Sequence, residues 1–393
     1  MVEWLFVHTE AVGSDLVARF RAAFPDAIVV AVQAESEVRK HLGGPNKRAV
    51  YIAPRRSHFV GRFHPPRGMV CAGFWKFTPE TECLYSCHYC YLTLTMRMIP
   101  YLRVASNLEK GLDEMEQVLR AEALQGRRAM FNIGELADGR LLDPITGLSL
   151  HLLPVLDRYE NGMLHVLTKS GSSTIGNYLV NSHLARGRVI HVASVNPQTI
   201  VDLTEDDTAP VADRLAALGE LQRAGYRIRL RIDPIFDLRD FGRSETEAFR
   251  VYTELVEQIG EYCWPEMITL GSYRPNPQLL PLLRRRYPHS PVLQVATHRE
   301  GAKRRTTNRE VFYRHIGEVI QQRLPGVHVA LCKETVAVWE RSGLSVKPLQ
   351  CSCLPFVAER RVEGLYALPA LAHRWGLPVQ EAALTPRQVE QAV

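Results

Sequence analysis

Short runs of β-branched and aromatic residues alternate along the 393-residue chain with longer stretches whose apolar positions recur every three or four residues. The first pattern predicts strands and the second amphipathic helices. Within the first 55 residues, WLFVHT, AIVVAV and RAVYIA read as strands and GSDLVARFRAAF as a helix. A Pro-, Gly- and His-rich stretch, APRRSHFVGRFHPPRG, follows as a linker. From about residue 70 the unit recurs, with GMVCAGF, RAMFNIG, MLHVLTK, RVIHVASVN, IRLRIDPI, EMITLGSY and PVLQVATH as predicted strands. NLEKGLDEMEQVLRAEAL, PVADRLAALGELQRAGY and ETEAFRVYTELVEQIGEY are helices between them. Such alternation predicts an α/β fold, a partial (β/α)6 barrel of TIM type over residues 70–325. A small α/β region, 1–69, precedes it, and an appendage, 326–393, departs from the pattern and contains further cysteines.

Composition changes this picture little. Apolar residues make up 46% and charged residues 23%, as in ordinary globular proteins. No apolar run approaches the roughly 20 residues that cross a bilayer, and MVEWLFVHTEAVGSD lacks a basic stretch before a long apolar one. A cytoplasmic protein without membrane association is expected, and there eight cysteines are ligands, reactive thiols or core residues rather than a disulfide framework. The net charge of +6 is unevenly spread: Arg284, Arg285, Arg286, Arg299, Lys303, Arg304, Arg305, Arg309 and Arg314 crowd one stretch. That cluster fits a polyanionic partner such as nucleic acid, and it equally fits solvated helix faces.

The densest chemistry lies in ETECLYSCHYCYLTLTM, where Cys83, Cys87 and Cys90 are spaced C-x3-C-x2-C after the first predicted barrel strand. Structural zinc takes four ligands, commonly as two separated pairs, so Cys71 or a distant cysteine would have to complete such a site. A cubane 4Fe–4S cluster also takes four cysteines as a rule. Three leave one iron open to a substrate or cofactor. With an aromatic residue, Tyr89, before the last cysteine, and in a barrel setting, the motif resembles the radical S-adenosylmethionine superfamily. That resemblance implies a 4Fe–4S cluster on Cys83, Cys87 and Cys90 whose open iron chelates S-adenosylmethionine. It further implies reductive cleavage of the cofactor to a 5′-deoxyadenosyl radical, and Tyr89 packed near the adenine.

In a barrel of this kind the chemistry belongs at the C-terminal ends of strands. Those ends carry Gly134, Glu135 and Asp138, then Lys169 and Ser170, Ser194 and Asn196, Asp233, and finally Ser272, Tyr273 and Arg274. Each alone can be an ordinary cap; together they suit the cofactor, a carboxylate for its ammonium, a lysine for its carboxylate, and Ser and Asn for ribose. Gly134–Glu135 resembles the end of the superfamily's GGE motif, whose Glu holds the ammonium.

SCHYCYL, a following PYLR, then HVLTK, ASVNPQTI, LQRAGY, RIDPIFD and RRRYP…AKRR together resemble the spore photoproduct lyase family over about residues 48–325. This implies a DNA repair lyase that takes a hydrogen from a thymine–thymine adduct, lets the adduct fragment and returns a hydrogen. A reductant of flavodoxin or ferredoxin type would feed the cluster. By this resemblance Tyr89 and Tyr91 are radical-relay tyrosines, and Lys169 and Ser194 contact the cofactor. A basic hairpin near 292–309 would hold the lesion, with Arg274, Lys303, Arg304 and Arg305 as nucleic-acid contacts.

One departure stands out. The family carries a hydrogen-donating cysteine just after the second strand, and here FNIGELADG has none, with Glu135 at or next to the position. Either another residue closes the cycle or the substrate is a peptide, nucleoside or other small molecule. In the appendage, Cys332, Cys351 and Cys353 can hold a second iron–sulfur cluster or zinc, supply the missing hydrogen, or be plain buried thiols. A non-catalytic, metal-bearing nucleic-acid-binding protein is the reading from another class.

Overall fold

The computed structural model describes residues 2–95, 97, 101–300, 303–344 and 352–353. The N-terminal predictions hold: Trp4–His8, Ile28–Val32 and Ala49–Ala53 are parallel strands, and Asp15–Ala23 is a helix whose first turn is capped by Ser14. Leu102–Ala105 pairs parallel with Ala49–Ala53, and Glu80–Thr81 pairs antiparallel with Leu102–Ala105. The N-terminal sheet therefore extends past residue 69 and takes in the start of the cysteine loop.

A second, curved sheet forms the body of the molecule. Seven parallel strands run in chain order: Phe74–Phe77, Ala129–Ile133, Gly162–Thr168, Val189–Val195, Arg227–Ile235, Met267–Ser272 and His328–Leu331. An antiparallel edge strand, Val60–Phe63, flanks the first. The sheet is an open TIM-type one, not a closed barrel. Among the described residues one isolated bridge, from the Val70 N–H to the Glu334 carbonyl at 2.8 Å, ties the far edge to the segment preceding the first strand.

Three expectations need correction. The first barrel strand is Phe74–Phe77, downstream of most of GMVCAGF, because pairing with Val60–Phe63 fixes its register. PVLQVATH is not a barrel strand: Pro291–Gln294 form a 3-10 turn and Thr297–Glu300 pair with Lys303–Thr306 in a separate two-stranded hairpin. The seventh parallel strand comes instead from VHVALCKETVAVWERSGL, where His328–Leu331 lie fully within the core beside Met267–Leu270. The stretch assigned to an appendage thus completes the sheet.

Alternation sorts each strand between its two faces. In Arg227–Ile235, Ile228, Leu230 and Ile232 join the large apolar core under the helices, while Arg231 and Asp233 line the interior cavity. In Gly162–Thr168, Leu164 and Val166 face the helices while Met163 packs in an interior cluster with Phe74, Met130, Ile190 and Val192. Helix Glu245–Tyr262 shows how the outer layer is specified. Ser244 caps its first turn by accepting from the Glu247 N–H, and Val251, Leu255 and Ile259 bury the inward stripe.

Candidate active site

A cavity of about 630 Å³ opens at the C-terminal ends of the parallel strands. Cys83, Cys87 and Cys90 all line it, on the loop that follows the first barrel strand. The loop is held from both sides. Ser86–Cys87 pair antiparallel with Glu205–Asp206, the His88 N–H donates to the Thr204 carbonyl at 2.8 Å, and the His88 ring stacks on Tyr287 at 4.1 Å. From the N-terminal region, Lys47 donates to the Tyr85 carbonyl and pairs with Glu82 at 3.6 Å. Burial opposes the Lys47 charge, yet Glu82, with Cys90 and Cys83, more than offsets it and raises its pKa. Burial also pushes the thiols of Cys83, Cys87 and Cys90 above the ordinary cysteine value. Such thiols stay protonated until a metal displaces their protons.

Next to the loop stands a cluster that reaches across three strands. With Thr168 opposite Ala193, Lys169 comes to lie beside Ser194. Its ammonium donates to Ser194 Oγ at 2.7 Å, pairs with Glu205 at 3.3 Å, and sits 5.5 Å from the centre of the Tyr89 ring. The Tyr89 hydroxyl donates to Glu205, whose other oxygen accepts from Arg214 at 2.8 Å. Glu205 and Arg214 have fully buried side chains. Burial would push the Glu205 carboxyl up, but Lys169, Arg214 and the Tyr89 hydroxyl bring it down to about 2.

The second barrel strand ends in a tight turn. Gly134 has φ +100°, and a Cβ there would stand 2.5 Å from the Leu167 carbonyl oxygen, so only glycine fits. Asp138 anchors this turn to the third strand by accepting from the Lys169 N–H at 2.7 Å and from Thr168 Oγ1 at 2.6 Å. Glu135 lines the cavity, and its backbone carbonyl accepts from the Tyr91 hydroxyl. On the opposite wall, Asp233 accepts from Arg274 at 3.0 and 3.1 Å, and Arg274 together with Arg231 holds its carboxyl below the usual range against the effect of burial.

Of the residues singled out from the sequence, Cys83, Cys87, Cys90, Tyr89, Tyr91, Gly134, Glu135, Lys169, Ser194 and Arg274 share this one cavity. Asn196 does not line it: it lies fully buried one residue beyond the fourth strand, with neither side-chain polar atom hydrogen-bonded. Cys332 and Cys353 do line it, whereas Cys351 lies outside the described residues. Among the described residues, no three His, Cys, Asp or Glu side chains converge on a point that could hold a single metal ion. The basic hairpin forms, but its residues differ in what they offer. Arg304 is exposed and donates to Thr297 Oγ1 at 2.7 Å. Arg305 is only 4% exposed and turns toward Met69, so it is removed from the hairpin's surface. The Lys303 side chain lies outside the described residues.

The family model described as spore photoproduct lyase matches residues 75–323, the greater part of the chain. The chain belongs to the spore photoproduct lyase family. A spore photoproduct lyase of Bacillus subtilis (strain 168) is 27% identical over 156 residues, 40% of this chain and 44% of the relative. One from Geobacillus sp. (strain Y412MC61) is 27% identical over 179 residues, 46% of this chain and 50% of the relative. The chain thus spans about half the length of these relatives. The fold is that of a spore photoproduct lyase solved in complex with dinucleoside spore photoproduct, with TM-score 0.68 and 19% identity over 84% of this chain and 99% of that one. A mutant lyase with bound AdoMet and dinucleoside spore photoproduct matches with TM-score 0.66 and 19% identity over 84% of this chain and 98% of that one.

Within this family member, two participants escaped the sequence reading. Glu205 and Arg214 are distant from the cysteine motif, and the run TEDD around Glu205 has the look of a solvated loop. Arg231 had a readable signal, since the alternation RIRLRID places charge on the inner face of an otherwise apolar strand.

Proposed function

We propose that this chain is a radical S-adenosylmethionine enzyme that acts on a thymine–thymine photoproduct of DNA, as a repair lyase. The observation that supports it most is the shared cavity. Three cysteines of a C-x3-C-x2-C loop face it together with Glu135, Lys169 and Ser194, residues of the types that bind a zwitterionic, ribose-bearing cofactor. The donor set is of the kind that would hold a 4Fe–4S cluster with one open corner: three thiols on one loop, all lining the same cavity. When bound, the cluster supplies the electron that cleaves S-adenosylmethionine to a carbon radical able to take hydrogen from substrate.

The chain's own residues would do the rest. Glu135 would accept from the cofactor ammonium and Lys169 would meet its carboxylate, while Gly134 permits the tight turn that carries Glu135. Tyr89 and Tyr91, anchored by Glu205 and by the Glu135 carbonyl, line the same cavity and would serve as relay groups. The cavity wall carries Lys76, Lys169, Arg231, Arg274 and Lys333 against Glu135, Asp138 and Asp233, an excess of positive charge suited to a phosphate-bearing substrate. Exposed Arg304 on the hairpin would extend that field to the flanking backbone. A one-electron carrier of flavodoxin or ferredoxin class is the reductant this reading requires.

The test is anaerobic reconstitution followed by reduction in the presence of a deuterium-labelled dinucleoside spore photoproduct. Release of 5′-deoxyadenosine containing that deuterium is the expected result. Release of unlabelled 5′-deoxyadenosine points to another substrate, and one zinc per chain with no cleavage would end the enzyme reading.

A further inference from the structure

The cavity holds more sulfur than a cluster needs. Besides the loop cysteines it is lined by Cys71, Cys332 and Cys353, and two of these meet the same half-buried guanidinium, that of Arg231. Cys332 directly follows the last parallel strand. Its N–H donates to the Leu270 carbonyl at 2.8 Å and its own carbonyl accepts from Arg274 at 3.2 Å, so its backbone is fixed on both sides. Arg231 Nη2 donates to Cys332 Sγ at 3.6 Å.

Ser352 and Cys353 lie in the interior of the sheet. Arg229 Nη1 donates to the Ser352 carbonyl at 2.7 Å, His165 lies 3.5 Å from Ser352 Oγ, and Ser352 is fully buried. Cys353 packs in the interior cluster with Phe74, Met130, Met163, Ile190 and Val192, and its Sγ is also 3.6 Å from Arg231 Nη2. Both sulfurs therefore lie within 3.6 Å of one nitrogen, and no more than twice that distance apart. Cys332, at the strand end, is held beside Arg274 through its carbonyl, while Cys353 packs into the interior apolar cluster.

A carbon radical left on the substrate needs a hydrogen atom, and the S–H bond is weak enough to give one, whereas a carboxyl O–H is not. At the end of the second strand this chain offers the carboxyl of Glu135. The Tyr89 and Tyr91 hydroxyls already donate to Glu205 and to the Glu135 carbonyl. In the Arg231–Cys332 contact the guanidinium is the donor, so the S–H bond of Cys332 is not spent on it and can face the cavity.

We propose that Cys332, which shares the Arg231 guanidinium with Cys353, is the hydrogen-atom donor that ends the reaction in this chain; this rests on the repair-lyase reading above. The substrate carbon radical takes the hydrogen of Cys332 Sγ–H: a C–H bond forms, the S–H bond breaks, and the unpaired electron passes to sulfur. The thiyl returns to thiol with one electron from the flavodoxin- or ferredoxin-class carrier and one proton from water. Burial supports the donor state, since it raises the Cys332 thiol above its ordinary value although Arg231 and Arg274 pull the other way.

The experiment runs the full chain, reconstituted and reduced with dinucleoside spore photoproduct, in deuterium oxide, where thiols exchange. Wild-type enzyme places deuterium in the thymine product. Cys332→Ser keeps its iron content and its release of 5′-deoxyadenosine, but the yield of intact thymine product falls by about tenfold or more and its deuterium content falls with it. Millimolar thiol added to the solution restores part of the yield. Product from Cys332→Ser with unchanged yield and unchanged deuterium overturns the proposal. Product from wild-type enzyme without deuterium overturns it whatever the variant does, and loss of iron or zinc from Cys332→Ser overturns it by assigning this thiol to a second metal site. Absence of any 5′-deoxyadenosine from wild-type enzyme is a different failure, that of the underlying reading.

Discussion

Glu205→Gln tests the polar cluster beside the cysteine loop through an equilibrium measurement that needs no cofactor. The substitution keeps size and hydrogen-bonding capacity but removes a carboxylate that accepts from Tyr89 and Arg214 and pairs with Lys169. A carboxyl lowered from 4.5 to about 2 by these partners contributes about 3 kcal/mol to folding. Its folded pKa lies below its unfolded one, so that contribution is complete above pH 4.5 and is lost as pH falls toward 2. Leaving Arg214, with a fully buried side chain, without its counter-ion falls in the same range, roughly 3–5 kcal/mol. Denaturant unfolding of the cluster-free chain and the variant, followed side by side, should therefore give a difference of about 3 kcal/mol at pH 7 that shrinks to about half or less near pH 3. Taking the difference between the two proteins cancels the other acidic groups. A difference below about 1 kcal/mol at pH 7, or one that stays constant down to pH 3, refutes the claim that Lys169 and Arg214 hold this carboxylate ionised in the folded state.

Other residues yield sharper single readouts. Cys87→Ala should abolish both iron incorporation and release of 5′-deoxyadenosine, measured together on the same reconstituted sample. Glu135→Gln should weaken S-adenosylmethionine binding by about tenfold or more in calorimetry, the usual loss for a charged hydrogen bond; unchanged affinity removes Glu135 from that role. Gly134→Ala forces a Cβ to within 2.5 Å of the Leu167 carbonyl at φ +100°, and thermal or denaturant unfolding should show a loss of roughly 2–4 kcal/mol. Arg304→Ala should weaken DNA binding uniformly across sequences and lower the slope of log K against log salt by about 1, whereas Arg305→Ala, at a buried position, should cost stability instead.

Much of the architecture was legible because periodicity and burial coincide. The helix ETEAFRVYTELVEQIGEY spans residues 245–262 in both the sequence pattern and the structure, since its serine cap and its apolar stripe both signal locally. The cysteine loop was legible for a related reason: three cysteines within eight residues need little tertiary information to line one cavity. The ends of the large sheet were harder. His328–Leu331 is a four-residue run whose strand character comes from a neighbour sixty residues earlier, Met267–Leu270, and nothing in HVAL itself separates it from the start of an appendage. PVLQVATH fails in the opposite sense, having strand composition but a proline-initiated turn and a hairpin partner of its own.

The same distinction separates what could and could not be read of the site. Strand-end residues such as Lys169, Ser194 and Glu135 announce themselves because the topology of a parallel sheet makes that edge the site wherever it occurs. Glu205 and Arg214 belong to connections, and only the folded chain shows that a carboxylate from an acidic loop is driven into the interior to meet Tyr89. The tail cysteines are the most instructive case. Read along the chain, Cys332 and Cys353 belong to a separate C-terminal unit, and their spacing suggests a metal site of its own. In the fold Cys332 terminates the last strand of the main sheet, and Cys353 is drawn into the interior by Arg229 and Arg231, two arginines whose inward direction follows from strand alternation. A charged inner face in the fifth strand thus does two things at once. It gives the C-terminal segment a buried carbonyl partner, and it gathers two thiols onto the wall of the cavity where the second strand supplies only a carboxylate.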